Sequence, residues 1–180
     1  MDVVASRYAK ALAESLSADG GDVVDQGLEQ LEGFAWVLDS EPDARQILTN
    51  PVIPPDQREQ FLDRLSGALT FDARVRKLIG LLVERRRLGV FDDVIVAYRK
   101  LLDEKKGIVR AVVTAAAPLT ETERGEISSK LEASLGKRVV MDVRQDPELL
   151  GGLVVRIGST VYDGTLRQHL SALKSRLISS

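Results

Sequence analysis

Residues 146–170 read DPELLGGLVVRIGSTVYDGTLRQHL. Two glycine-containing turns enclose a run of Val, Ile and Leu, and a leucine-spaced segment follows. A phosphate-binding loop would set its glycines between a strand and a helix, then supply Lys and Ser or Thr. Here Gly151-Gly152 comes before a strand, and Leu153-Val154-Val155 follows it. A dinucleotide fingerprint fails for the same reason of order. The pair is therefore read as a turn that needs positive φ or a close backbone approach. Leu153–Ile157 and Thr160–Tyr162 should pair as a hairpin across Gly158-Ser159. Asp163-Gly164-Thr165 is read as a turn into a final helix, with Asp163 or Thr165 as its cap. That helix would carry Leu166, Leu170, Leu173 and Leu177 on one side.

Working back from this hairpin, Arg138–Arg144 alternates, with Val139, Met141 and Val143 on one face. Thr120-Glu121-Thr122-Glu123 is a capping box, because the Thr hydroxyl takes an orphan helix amide and the Glu three places on reaches back. The helix it starts should stop at Gly136. Ile108–Ala116, rich in Val and Ala, reads as a strand ended by Pro118. The change of period falls at Gly107. Residues 107–180 are thus expected to form a small α/β domain with a short sheet and a C-terminal helix.

Before Gly107 the period is helical. Segments are expected over 3–17, from Val24 to Leu38, over 44–48, over 55–65, over 72–86 and over 91–105. Asp19-Gly20-Gly21-Asp22, Glu41-Pro42, the prolines at 51, 54 and 55, and Gly89 separate them. Residues 1–106 are expected to be a six-helix bundle. The fold class is α+β.

Composition sets the outer limits. With 180 residues, 44% apolar and 29% charged, the chain is long enough for a real core. No Cys is present, so thiolate and disulfide chemistry are excluded. No apolar run approaches the ~18 residues a spanning helix needs, so any membrane link is expected to be indirect. The net charge of −2 predicts no general attraction to nucleic acid. It is unevenly spread: residues 1–43 hold 2 basic and 10 acidic side chains, residues 44–106 hold 13 and 9, and the remainder 10 and 8.

No catalytic constellation stands out. His169 is the single His, with no second His or Cys to help it hold a metal. No G-x-S-x-G elbow occurs. Neighbouring carboxylates such as Asp92-Asp93 diverge around a helix rather than converge. A small hydrolase would need a pocket joining a carboxylate to His169. Arg85-Arg86-Arg87 is short and lacks interleaved aromatics, so it suits a helix end better than nucleic acid. A nucleic-acid-binding module using these arginines is the main rival function. Cofactors, metals and small-molecule substrates are not expected.

Two helices carry more apolar surface than one core requires. In the first, Val4, Ala5, Tyr8, Ala9, Ala11, Leu12, Ala13 and Leu16 span an arc of roughly 200°, against a little over ~100° for a helix lying on one core. Ala5, Ala9 and Ala13 would form a small-residue track for close helix packing. Such a helix either lies deep within its own bundle or is covered by a foreign helix. The fifth segment has similar excess in Phe71, Val75, Leu78, Ile79, Leu82 and Val83. Trp36 stands nearly opposite the apolar stripe of its helix, where it would meet a neighbour or anchor a partner.

Arg7-Tyr8-Ala9-Lys10-Ala11-Leu12, LLVERRRLGVFDDVIVAY (81–98) and the 146–170 stretch together resemble the delta subunit of bacterial F-type ATP synthases. The mitochondrial relative is the oligomycin-sensitivity-conferring protein. The resemblance covers essentially the whole chain, and the C-terminal signature is its specific part. Arg85 and Arg86 depart from it, standing where Asn and Gly or Lys are usual, and His169 stands where Arg is frequent. The resemblance implies a non-catalytic stator subunit, peripheral on the cytoplasmic face of a bacterial membrane. Its N-terminal bundle would grip the helical N-terminus of an alpha subunit through the first and fifth helices, using Ala5, Tyr8, Ala9, Leu12, Ala13, Leu16, Val75, Leu78, Ile79 and Leu82. Its C-terminal domain would meet the distal ends of the b subunits. Gly151, Gly152, Gly158, Asp163 and Gly164 would be structural turns.

Overall fold

A computed structural model describes residues 3–149 and 151–164. The chain divides between Leu102 and Asp103 into two compact units. Helices α1 (Val3–Ser17), α2 (Gly21–Ser40), α3 (Pro42–Thr49), α4 (Pro55–Ala68), α5 (Ala73–Glu84) and α6 (Phe91–Lys106) come first. They are followed by β1 (Ile108–Ala115), α7 (Glu121–Leu135), β2 (Arg138–Gln145), β3 (Leu153–Ile157) and β4 (Thr160–Asp163). This is an α+β chain. The break falls inside the last turn of α6 rather than at Gly107. Across the start of the second unit, Arg110 of β1 donates twice to the Asp103 carboxylate, at 2.6 and 3.1 Å.

Helix limits follow local chemistry. Pro42 and Pro55 sit in the first turns of α3 and α4, where no intrahelical amide is needed. The Asp72 side chain accepts from the Arg74 amide and starts α5. Helices α1 to α6 all feed one apolar core that includes Leu16, Leu31, Leu48, Leu62, Ile79, Leu82 and Val94. Phe34 meets Phe91 edge-on at 5.2 Å and Phe71 at 6.0 Å, an arrangement that suits ring quadrupoles. Gly27 is required by space: a Cβ there would lie 2.6 Å from Leu16 Cδ1 and 3.0 Å from Tyr98 Oη. Tyr98 uses that gap to donate to the Val24 carbonyl at 2.9 Å. Burial first, and the charge of Asp25 second, push its phenol up to about 12.

In the second unit the strand order is β2-β1-β3-β4. β1 and β2 are parallel, so the chain must cross over between them, and α7 is that crossover. β3 runs antiparallel to β1 and forms a hairpin with β4. Val113 lies between Val143 and Val155, and on this face Ala111, Val139 and Val155 are buried with it beneath Ile127, Leu131 and Leu135. The Thr120 capping box forms in full, and Gly136 closes α7 at φ 63°. Gly151, Gly152 and Gly158 take φ of 67°, 74° and 58°, as expected for turn residues. Gly164 comes close to β3, its amide donating to Leu153 O at 2.9 Å. The expected final helix from Leu166, together with Thr165 and His169, lies outside the described residues.

Candidate functional site

α1 and α5 run side by side in opposite directions. Arg74, in the first turn of α5, donates to Ser15 O near the end of α1 at 3.0 Å and pairs with Asp19 at 2.6 Å. Arg87, just past the end of α5, donates to Tyr8 Oη at 3.4 Å, half-way back along α1. The Arg74 guanidinium also donates to the Asp72 carboxylate, at 2.9 and 2.8 Å. That hydrogen bonding, with the Arg74 amide and charge adding to it, holds the Asp72 carboxyl down at about 2.

This placement gives the wide apolar arc of α1 neighbours within its own unit. Ala5, Ala9, Leu12, Ala13 and Leu16 are all buried in the unit's own core. So are Val75, Leu78, Ile79 and Leu82 of α5. The small-residue track does not face water, because α1 has two neighbours of its own, α2 and α5. A helix wedged between two others needs the wide apolar arc that one resting on a single core would not. Of the ten residues expected to bind a partner, only Tyr8 keeps part of its surface open while packing on the core.

Beside the buried face lies a second stripe that is open in part. Val4, Tyr8, Ala11 and Ser15 follow one another at steps of four, three and four, so they share one side of α1. Val4 and Tyr8 are half-buried, and Ala11 and Ser15 are exposed. Ser15 and Tyr8 are the residues reached by Arg74 and Arg87, so this side adjoins α5. On α5, Leu78 and Leu81 follow Arg74 by four and seven residues and so share its α1-facing side. Leu81 is 36% exposed and Leu78 nearly covered. The result is a shallow seam with an apolar floor and rims of Val4, Tyr8, Ala11 and Leu81, bracketed by arginines at both ends.

Some of this was invisible in the sequence. Asp72-x-Arg74 is a legible helix start, but nothing in its spacing reveals that Arg74 also reaches Ser15 and Asp19. The basic run is exposed at Arg85, Arg86 and Arg87. Arg86 adopts φ 55°, a left-handed conformation that glycine takes without strain, at one of the three positions noted above as departing from the resemblance. Elsewhere in this unit, α3 and α4 border a cleft of about 290 Å³ lined by Ile47, Ile53, Gln57, Gln60, Phe61 and Arg64. It brings together no acid–base pair. Among the described residues no helix is long and apolar enough to cross a membrane.

Residues 4–177 match the family described as ATP synthase delta (OSCP) subunit. An ATP synthase subunit delta of Anaeromyxobacter sp. is 38% identical over 177 residues, covering 98% of both chains. One from Desulfosudis oleivorans is 37% identical over 175 residues, covering 97% of this chain and 94% of that one. Among solved structures, a chain of the Toxoplasma gondii mitochondrial ATP synthase hexamer superposes with a TM-score of 0.67 at 27% identity, covering 98% of each chain.

Proposed function

The chain belongs to the ATP synthase delta (OSCP) subunit family and is a non-catalytic stator subunit of the peripheral stalk of an F-type ATP synthase, and from that premise we propose that its α1–α5 seam receives the helical N-terminus of an alpha subunit. The first unit acts as a six-helix bundle seated on the catalytic alpha/beta hexamer. The second unit holds the distal ends of the b stalk, an assignment that follows from the family resemblance. Joined in this way, the subunit resists rotor torque so that rotation drives ATP synthesis. It works at the cytoplasmic face of a bacterial membrane and touches the bilayer only through the complex.

The half-open seam is the observation that carries this proposal. It offers apolar floor and rim along the length of α1, which is the footprint a helix fills at i, i+3, i+4 and i+7. A contact that must hold under load gains from such burial, because apolar contacts keep their strength in salt while surface ion pairs are screened. The contact residues are therefore refined. Tyr8 stays, Leu78 forms the floor, and Val4, Ala11 and Leu81 replace the alanines and leucines that α1 buries in its own core. The rival nucleic-acid role for Arg85–Arg87 gains no support, since the relatives are subunits of ATP synthases.

Calorimetric titration of the full chain with a synthetic alpha N-terminal peptide tests the seam. Ala11→Glu and Leu81→Glu should each weaken binding about 100-fold, roughly 2.7 kcal/mol, with melting temperature little changed. Full affinity in both variants would overturn the placement.

A further inference from the structure

The sole Trp of the chain, Trp36, is 68% exposed, on the side of α2 opposite its buried stripe of Val24, Leu31 and Leu38. α2 and α6 lie alongside each other in opposite directions: Tyr98 reaches Val24, Arg99 pairs with Glu32, and Phe91 meets Phe34. One turn on from Glu32 along α2 stands Trp36. Close to one turn back from Arg99 along α6 stands Val96, which is 55% exposed. Because the helices run oppositely, both steps lead the same way, so the two largest open apolar side chains of these helices stand on the sides that carry the Arg99–Glu32 pair.

The charge of α2 is one-sided. α2 carries five acidic residues and no basic one along its 20 residues. Asp39 sits in its last turn, where the helix dipole disfavours an anion. The nearby cations are already held: Arg45 by Asp39 and Arg99 by Glu32, while Lys100 has an interaction of its own. Glu29 on α2 and Asp92 and Asp93 on α6 have no ion-pair partner among the described residues. An anionic bilayer or a nucleic acid would be repelled here, and a second copy of the face would bring like charge against like.

We propose that Trp36 and Val96 form a second docking surface, whose occupant is a basic amphipathic helix. Its aliphatic stripe would cover Trp36 and Val96, and Lys or Arg on its flanks would meet Glu29, Asp92 and the face of the indole. This surface is independent of the alpha-binding seam, so the failure of either proposal leaves the other standing.

Trp36 is its own reporter, since no other indole contributes to the emission. The full-length protein is titrated with a 20-residue helical peptide of leucines at helical spacing flanked by lysines. The same peptide with glutamates, and a scrambled Lys/Leu peptide, serve as comparators. The lysine helix should shift Trp36 emission to the blue and shield it from acrylamide. Calorimetry should show at least tenfold weaker binding with Trp36→Ala, Val96→Asp or Glu29→Lys, while circular dichroism confirms that each variant is folded. Unchanged emission, equal binding of the glutamate or scrambled peptide, or full affinity in Trp36→Ala would overturn the proposal. So would Trp36-dependent dimerisation in sedimentation, or Trp36-dependent binding to phosphatidylglycerol vesicles.

Discussion

α1 and α2 are neighbours that invert what their sequences advertise. α1 carries an apolar arc of roughly 200°, and most of it is buried within its own unit, beside α2 and α5. α2 has an ordinary stripe through Val24, Leu31 and Leu38, yet it leaves the bulkiest side chain of the protein, Trp36, in water. The amount of apolar surface on a helix is a property of its sequence. The share that stays free depends on how many neighbours the helix acquires. Surface available to a partner is the difference between the two, and it can be small on a greasy helix and substantial on a plain one.

The sharpest way to break this contrast is within α1. Ala9→Glu buries an unpaired carboxylate where Ala9 has no exposure at all, and should unfold the first unit, costing at least ~4 kcal/mol. Ala11→Glu, two residues on and exposed, should leave stability within ~0.5 kcal/mol. Urea unfolding followed by helical circular dichroism would measure both. Similar losses in the two variants would mean that the inner and outer faces have been misassigned.

The same contrast in α2 is somewhat smaller. Phe34→Ala removes a fully buried ring held edge-on by Phe71 and Phe91, and should cost about 3–5 kcal/mol. Trp36→Ala should change stability by no more than ~0.5 kcal/mol. Thermal melts of the pair decide it, and a large loss for Trp36→Ala would show that the indole is packed after all.

The smallest effect separates polar from apolar roles in the seam of α2 and α6. Tyr98→Phe deletes the hydrogen bond to Val24 and should cost about 1–2 kcal/mol near neutral pH. The phenol titrates near 10.0 when unfolded and about 12 when folded. Its raised value means that the unfolded chain ionises first, so the wild type should lose stability as pH rises from about 10 to about 12, and be unaffected by this group below that. In Tyr98→Phe that alkaline loss should diminish. Denaturant midpoints across this range measure it, and an equal alkaline slope in both proteins would remove Tyr98 as the cause.

Much of the local architecture was legible. The limits of α1 fall where periodicity and the Asp19-Gly20-Gly21 break put them. The Thr120 box and the Gly136 stop bound α7, and the hairpin turns at Gly158. Each depends on residues within a few positions of one another. The clasp of Arg74 on the Ser15 carbonyl and the Asp19 carboxylate was not legible, because it joins groups 55 or more residues apart whose meeting depends on how the helices are stacked. For the same reason the burial of Ala9 was not legible: Ala9 and Ala11 look alike in the sequence, and only the packing of the neighbouring helices tells them apart.

What the sequence determined alone was the order of the elements from α1 to β4, the apolar side of most of them, and the family signature near its C-terminal end. These follow from backbone periodicity, caps and turn residues, which act over short separations. The tertiary structure decided which apolar side chains remain open to water. That depends on how many helices surround each one, and neighbours brought together from distant parts of the chain leave no periodic trace in it.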